Sequence, residues 1–343
     1  MLTRTECTAM RGLAIMAIAL HNYCHFIGGI VQENEYLFSQ KNNDRLWQLL
    51  AEPDRLLPVH LLSYLGHYGV PVFLFLSGLG LVLKYEAHER PSETAWQFCR
   101  RSYLKLLRLL VPGLALFVCA DLLTPGRFHF EWQHVVAQLT MTINLLPTPE
   151  KIIWPGIYWF FGLMMELYVV YRLLLYRQSS RRVLLLMAVC WLAQACCTPD
   201  GEMLNQLRYN FVGAVVPFGA GIMVARHGSQ LPQLSWPRWA WLAVSVAMLL
   251  IMLMLSLHFQ SWLWAPLPAI LCCVAMVRSL PPSLLTAATW LGTLSAAIFV
   301  THPTARKLLI GIAHRDGIYD GLLLYVIVTI VLGWLFMQAT TTR

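Results

Sequence analysis

Read for apolar continuity, the chain divides into ten runs long enough to cross a bilayer. They lie at about 9–31, 67–85, 104–123, 153–173, 183–198, 209–225, 237–257, 260–277, 287–311 and 319–339. The pattern predicts an all-α membrane protein of about ten transmembrane helices, forming a single membrane-embedded domain over 1–343. No second soluble domain and no internal repeat interrupts it. Two polar stretches stand out as long outer loops, 32–66 and 124–152. The first carries Glu33, Glu35, Asp44, Glu52 and Asp54; the second holds an amphipathic piece, Glu131 to Leu146, for which a surface position and a re-entrant one are both open. Loops of this size over an intramembrane cavity often shape a substrate site.

The first run breaks its own pattern. Between Met10 and Ile27 it carries Arg11, His21, Asn22 and His25. Ionisable groups at membrane depth cost about 2.5–3.5 kcal/mol each on insertion scales, so they usually face a protein interior and act there. At about 100° per residue, Asn22 falls about 20° from Arg11 around the helix, His25 about 40° and His21 about 80°. All four share one side, and the rise from Arg11 to Asn22 is about 16 Å, roughly half a bilayer core.

Composition agrees with a membrane setting: 58% hydrophobic residues, 12% charged and a mean hydropathy of +0.58. Thirteen Trp and thirteen Tyr suit two membrane interfaces. The first run has no small-residue cleavage site after it and reads as a retained helix, not a signal peptide. Nine scattered cysteines show no metal-type spacing, so no metal is expected. The net charge of +8 gives no reason to expect nucleic acid. Lys and Arg gather in 84–108 and 172–182, which by the positive-inside rule places both termini in the cytoplasm.

Four further landmarks carry chemistry. In Tyr68-Gly69-Val70-Pro71 through Ser77-Gly78, the Ser-Gly pair permits close backbone approach and an interhelical hydrogen bond, as a packing seam or a ligand contact. Arg101, Lys105 and Arg108 stand at i, i+4 and i+7 on one stripe, suited to phosphates or to anionic lipid. Glu166 sits among aromatics in Tyr158-Trp159-Phe160 to Tyr171, free to pair with an Arg or to orient a histidine or acceptor hydroxyl. His302 precedes Pro303 and is expected to fix a proline kink by bonding to freed backbone.

Together and in this order, these stretches resemble the acyltransferase-3 family of membrane-embedded acyltransferases. The resemblance runs from Arg11-Gly12-Leu13-Ala14 through Val70-Pro71, Ser77-Gly78 and Lys105 to Pro112. It continues in Tyr158-Trp159-Phe160, Phe218-Gly219-Ala220-Gly221 with Ala225-Arg226, and Leu294-Ser295 with His302-Pro303. The resemblance implies about ten helices in a bacterial cytoplasmic (inner) membrane. It also implies transfer of an acetyl or other short acyl group from cytoplasmic acyl-CoA to a hydroxyl of a sugar or surface glycan. Some members carry an extra hydrolase-like domain; this chain is expected to lack one. The family pairs a basic residue in the first helix with a histidine about eleven residues on, a position held here by Asn22.

Acyl transfer to a hydroxyl needs a base, donors for a developing oxyanion and a positioned thioester. His21 or His25 is the expected base, with Asn22 as orienter or oxyanion donor and Glu166 as a further catalytic candidate. Arg11, Arg101, Lys105 and Arg108 are expected to hold the phosphates of coenzyme A, with membrane lipid as the surrounding partner. The competing reading is a proton-coupled transporter or flippase of a lipid-linked sugar, which also uses buried His and Glu but needs no coenzyme A site.

Overall fold

The computed structural model describes residues 2–86, 93–230, 234–315 and 317–341; Arg90 of the basic 84–108 stretch lies outside them. Every regular element among the described residues is helical. In chain order they begin with α1 (Arg4–Cys24), α2 (Gln40–Ala51), α3 (Leu57–Leu65), α4 (Gly69–Tyr85), α5 (Ala95–Leu123) and α6 (Trp132–Leu139). The middle holds α7 (Pro149–Ile152), α8 (Trp159–Val170), α9 (Ser180–Ala195), α10 (Glu202–Tyr209) and α11 (Phe211–His227). The end holds α12 (Arg238–Leu255), α13 (Phe259–Trp262), α14 (Pro266–Ser279), α15 (Pro282–Thr293), α16 (Ser295–Arg315) and α17 (Ile318–Thr341).

Each of the ten apolar runs falls on a helix, though not every one of those helices is by itself long and apolar enough to cross a membrane. Six stretches are long and apolar enough to cross a membrane, and α15 with α16 makes a seventh if that pair, bent by 75°, counts as one. In α9 and α14 the helix stops at 16 and 14 residues. Helix α1 is long enough, yet Arg4, Glu6, Arg11, His21 and Asn22 dilute its apolarity. It starts at a reciprocal Thr3–Glu6 capping box, which satisfies two backbone donors at once.

The boundaries moved where polar residues hid helix. The loop expected over 32–66 contains α2, and α3 continues through a single tight turn at Gly66–Tyr68 into α4, giving one stretch from Leu57 to Tyr85. His60, Ser63 and His67 masked that continuity because they are buried polar groups facing the protein. In 124–152, the amphipathic piece forms α6 and a short helical turn at Ile143–Leu145, with Trp132 and Val136 exposed and Gln138 and Ile143 buried.

Two seams bring helix backbones together. A methyl on Gly78 would run into the Phe218 carbonyl oxygen, and one on Gly221 into that of Phe75, so α4 and α11 touch main chain to main chain. Gly12 and Gly292 do the same for α1 and α15. Small residues permit this approach where the surrounding lipid offers no competing driving force. Ser77 does not bridge helices: its hydroxyl donates to Phe73 O in its own helix, 2.7 Å away. The largest buried cluster, with Phe98, Tyr158, Tyr171 and Phe218, joins α5, α8 and α11. One side of that cluster is hollow.

Candidate active site

A cavity of about 680 Å³ runs along the polar face of α1, with Arg11, His21, Asn22 and His25 all on its wall. The helical spacing therefore does put the four groups on one lining, as their periodicity requires. Lys105 from α5 joins Arg11 there, close enough for the two charges to interact. The rest of the basic stripe is elsewhere. Arg101 is exposed and committed to Glu93, 2.7 Å away, and to the Tyr85 hydroxyl. Arg108 is exposed and is not on the cavity wall.

His21 is 5% exposed, and its Nδ1 lies 2.6 Å from the Ser63 carbonyl oxygen. A carbonyl can only accept, so the ring proton is on Nδ1 and Nε2 carries the lone pair. That nitrogen is 4.0 Å from Glu35 Oε2. His25 Nδ1 stands 2.7 Å from Glu33 Oε2, a histidine–carboxylate pair whose Nε2 has no hydrogen bond among the described residues. The rings of His21 and His25 are 5.6 Å apart, and His67 adds a third ring 5.7 Å from His21.

Glu33, Glu35 and Tyr36 come from the loop before α2, which folds back into the protein. It is tied there by the Trp262 indole N–H to Asn34 O (3.1 Å) and by Phe38 N–H to Pro199 O (2.8 Å). Tyr36 stacks on Tyr209 with 4.0 Å between ring centres. The two carboxylates differ in state. Burial alone would raise Glu33, but the His21 and His25 neighbours outweigh it and pull its pKa down to about 2. Burial and the neighbouring Glu33 charge instead push Glu35 up to about 8. One carboxylate is ionised near neutrality and the other carries its proton.

Three expected residues are engaged by other groups of the protein. Glu166 is not on the cavity wall. Its Oε2 accepts the Phe211 N–H at 2.8 Å, serving the open donors and positive end of α11 and not a histidine or an Arg. Asn22 lines the cavity, but its amide group donates toward Ile18 O while its oxygen accepts from Arg306 at 3.2 Å. It is a holder of Arg306 more than a free oxyanion donor. His302 is fully buried and donates from Nδ1 to Ile298 O at 2.9 Å, beside the carbonyl that Pro303 frees. Helix α16 runs on through Pro303, and a 75° bend falls earlier, at Leu294.

Sequence reading passed over Glu33, Glu35, His67 and Arg306 as site residues. Arg306 did carry a signal, a charge inside a span-length apolar run. His21, His25 and Glu33 also offer ligand atoms within 4.8 Å of one another, the makings of a three-ligand cation site. Glu33 Oε2 and His25 Nδ1 are already engaged with each other in a 2.7 Å hydrogen bond.

Fold and cavity define a multi-pass helical membrane protein whose interior joins a pair of basic groups to a histidine–carboxylate pair. Residues 6–338 match the family model described as an acyltransferase domain, so the chain belongs to the acyltransferase-3 family. It is, in general terms, a membrane acyltransferase. No curated protein and no solved structure matches the chain.

Proposed function

We propose that this protein moves a short acyl group, acetyl in the simplest case, from cytoplasmic acyl-CoA to a hydroxyl of a sugar or surface glycan. It does so across a bacterial cytoplasmic membrane, with about ten crossings and both termini inside. The observation that carries the reading is the His25–Glu33 pair, 2.7 Å apart, in the same cavity as Arg11 and Lys105.

Arg11 and Lys105 mark the end that receives the phosphates of the donor, since paired cations suit phosphate oxygens. The rise of about 16 Å from Arg11 to Asn22 matches a donor whose reactive thioester lies far from its charged nucleotide. His25 Nε2 takes the proton of the acceptor hydroxyl, and Glu33 stabilises the imidazolium that forms. The hydroxyl oxygen bonds to the acyl carbon, the carbon–sulfur bond breaks, and coenzyme A leaves as the thiolate. His25 then releases the proton it took. Base catalysis of this kind contributes about 10²–10⁴-fold.

The test is thiol release from acetyl-CoA by purified protein, read alongside the mass of the cell's surface glycan. An added acetyl mass that depends on the gene supports the reading. Intact thioester and unchanged glycan mass, with transport of a lipid-linked sugar, would overturn it.

A further inference from the structure

Most buried or half-buried guanidinium groups in this protein have obvious partners. Arg226 is bonded to both oxygens of Glu86 and to the carbonyls of Gln178 and Leu175. Arg278 pairs with Glu6 at 2.8 Å. Next to the residue in question, Lys307 pairs with Asp121 at 2.9 Å. Arg306 differs. It is 5% exposed and lines the cavity, yet no carboxylate among the described residues forms an ion pair with it. Its recorded hydrogen bond goes to the Asn22 side-chain oxygen, and its flat face rests on Phe26, 3.8 Å from the ring centre.

A guanidinium has five N–H donors and never gives up its charge in ordinary conditions. Burying it with one neutral acceptor is costly unless something else completes it. On the same wall, 6.0 Å from the Arg306 guanidinium, is the ring of Trp154, whose buried indole N–H has no partner among the described residues. Arg306 therefore keeps donors to spare on one part of the cavity wall, beside the Trp154 ring. The complement is a group with negatively charged oxygens.

The position excludes the donor's phosphates. Asn22, which holds Arg306, stands about 16 Å along α1 from Arg11, so the site is at the opposite end from the basic pair. The two cavity carboxylates do not fill it, because Glu33 is bonded to His25 and Glu35 lies against His21. Nor do they repel an anion strongly: Glu35 carries its proton near neutrality, and Glu33 faces a histidine. Around the guanidinium, Phe26 and Trp154 offer aromatic faces of the kind that cover the apolar face of a sugar ring.

We infer that Arg306, positioned by Asn22 and flanked by Trp154, is a binding site for an anionic group of the acceptor, a carboxylate or phosphate borne by a sugar. This rests on the acyl-transfer reading for the identity of the acceptor, but the binding itself does not. The unusual Asn22, where the family places a histidine, is then the residue that aims Arg306 into the cavity.

The experiment is thermal stabilisation of the detergent-solubilised full-length protein by D-glucuronate, glucose 6-phosphate and neutral glucose. Stabilisation by either acidic sugar, beyond that by glucose and weakened by salt, is expected. Which of the two acts distinguishes carboxylate from phosphate. Arg306→Gln should lose most of that stabilisation, Arg306→Lys should keep part of it, and Asn22→Ala and Trp154→Phe should each weaken it. If Arg306→Gln does not fold, the lysine and phenylalanine variants carry the comparison. Equal stabilisation by glucose, no stabilisation at all, or a charge-dependent effect untouched by these substitutions overturns the inference. Thiol release from acetyl-CoA by the same preparation would leave the acyl-transfer reading standing in that event. Conversely, binding without thiol release would sink acyl transfer and keep the site.

Discussion

The carbonyl oxygen of Ser63 lies 2.6 Å from His21 Nδ1, which fixes the ring proton there and turns the basic nitrogen toward Glu35. His25 has a carboxylate in the corresponding place, Glu33. A carboxylate stabilises the protonated ring, whereas a neutral carbonyl mainly orients it.

That difference assigns the two histidines unequal weight. His25→Ala should lower thiol release by about 10²–10⁴-fold, the range of a lost general base. His21→Ala should cost less, and Glu33→Gln should lower the maximal rate with little change in the KM for acetyl-CoA. Steady-state kinetics on the three variants checks this; full activity in His25→Ala would remove the assigned base.

The two loop carboxylates make stability depend on pH in opposite directions. Glu33 has its pKa depressed to about 2, so its contribution is present above about pH 4.5 and is lost as pH falls toward 2. Glu35 is raised to about 8, so the folded state favours its protonated form. Its contribution is full below about pH 4.5 and shrinks as pH rises toward 8. Glu35→Gln should therefore flatten the decline in melting temperature between about pH 5 and 8, and Glu33→Gln should not. Melting curves across that range decide the matter.

Glu166 offers a sharp contrast between a helix cap and a catalytic acid. As the acceptor for the Phe211 N–H, its replacement by Ala should cost about 0.5–2 kcal/mol of stability. Thiol release per folded molecule should stay within about twofold. A loss of a hundredfold or more in well-folded protein would return Glu166 to the reaction.

The same cavity poses a metal question with a simple answer. Because His25 Nδ1 already donates to Glu33, turnover should survive prolonged chelation, and added zinc should inhibit by taking the ligand atoms of His21, His25 and Glu33. Activity that vanishes with chelator and returns with a metal would overturn the base assignment.

What could be read from the sequence follows from how local each relationship is. Arg11, His21 and Asn22 lie on one helix and His25 caps its end, so periodicity alone set them on a common face. Glu33 and Glu35 reach that face only because the loop is tied to Trp262 and Pro199, contacts far away in sequence. Asn22 holding Arg306 spans a similar distance, and no local pattern announces it. The bend at Leu294 is hidden for a related reason: no proline marks it, while α16 stays helical through Pro303, the obvious breaker. Glu166 looked catalytic because a carboxylate among aromatics is conspicuous, and its partner is a main-chain amide that no side-chain pattern reveals.

The break at Leu294 changes what borders the chamber. Because α15 ends there, α16 begins inside the protein, with Ser295 and Ala296 on the cavity wall. The first amides of a helix have no carbonyl one turn earlier to satisfy them, and together they carry about half a positive charge. An unbroken helix would have spent those amides on itself and turned only side chains toward the hollow. The bent one sets the start of α16 against the end of α15 at the cavity wall, so that main chain from two helix termini, and not side chains alone, borders the chamber there.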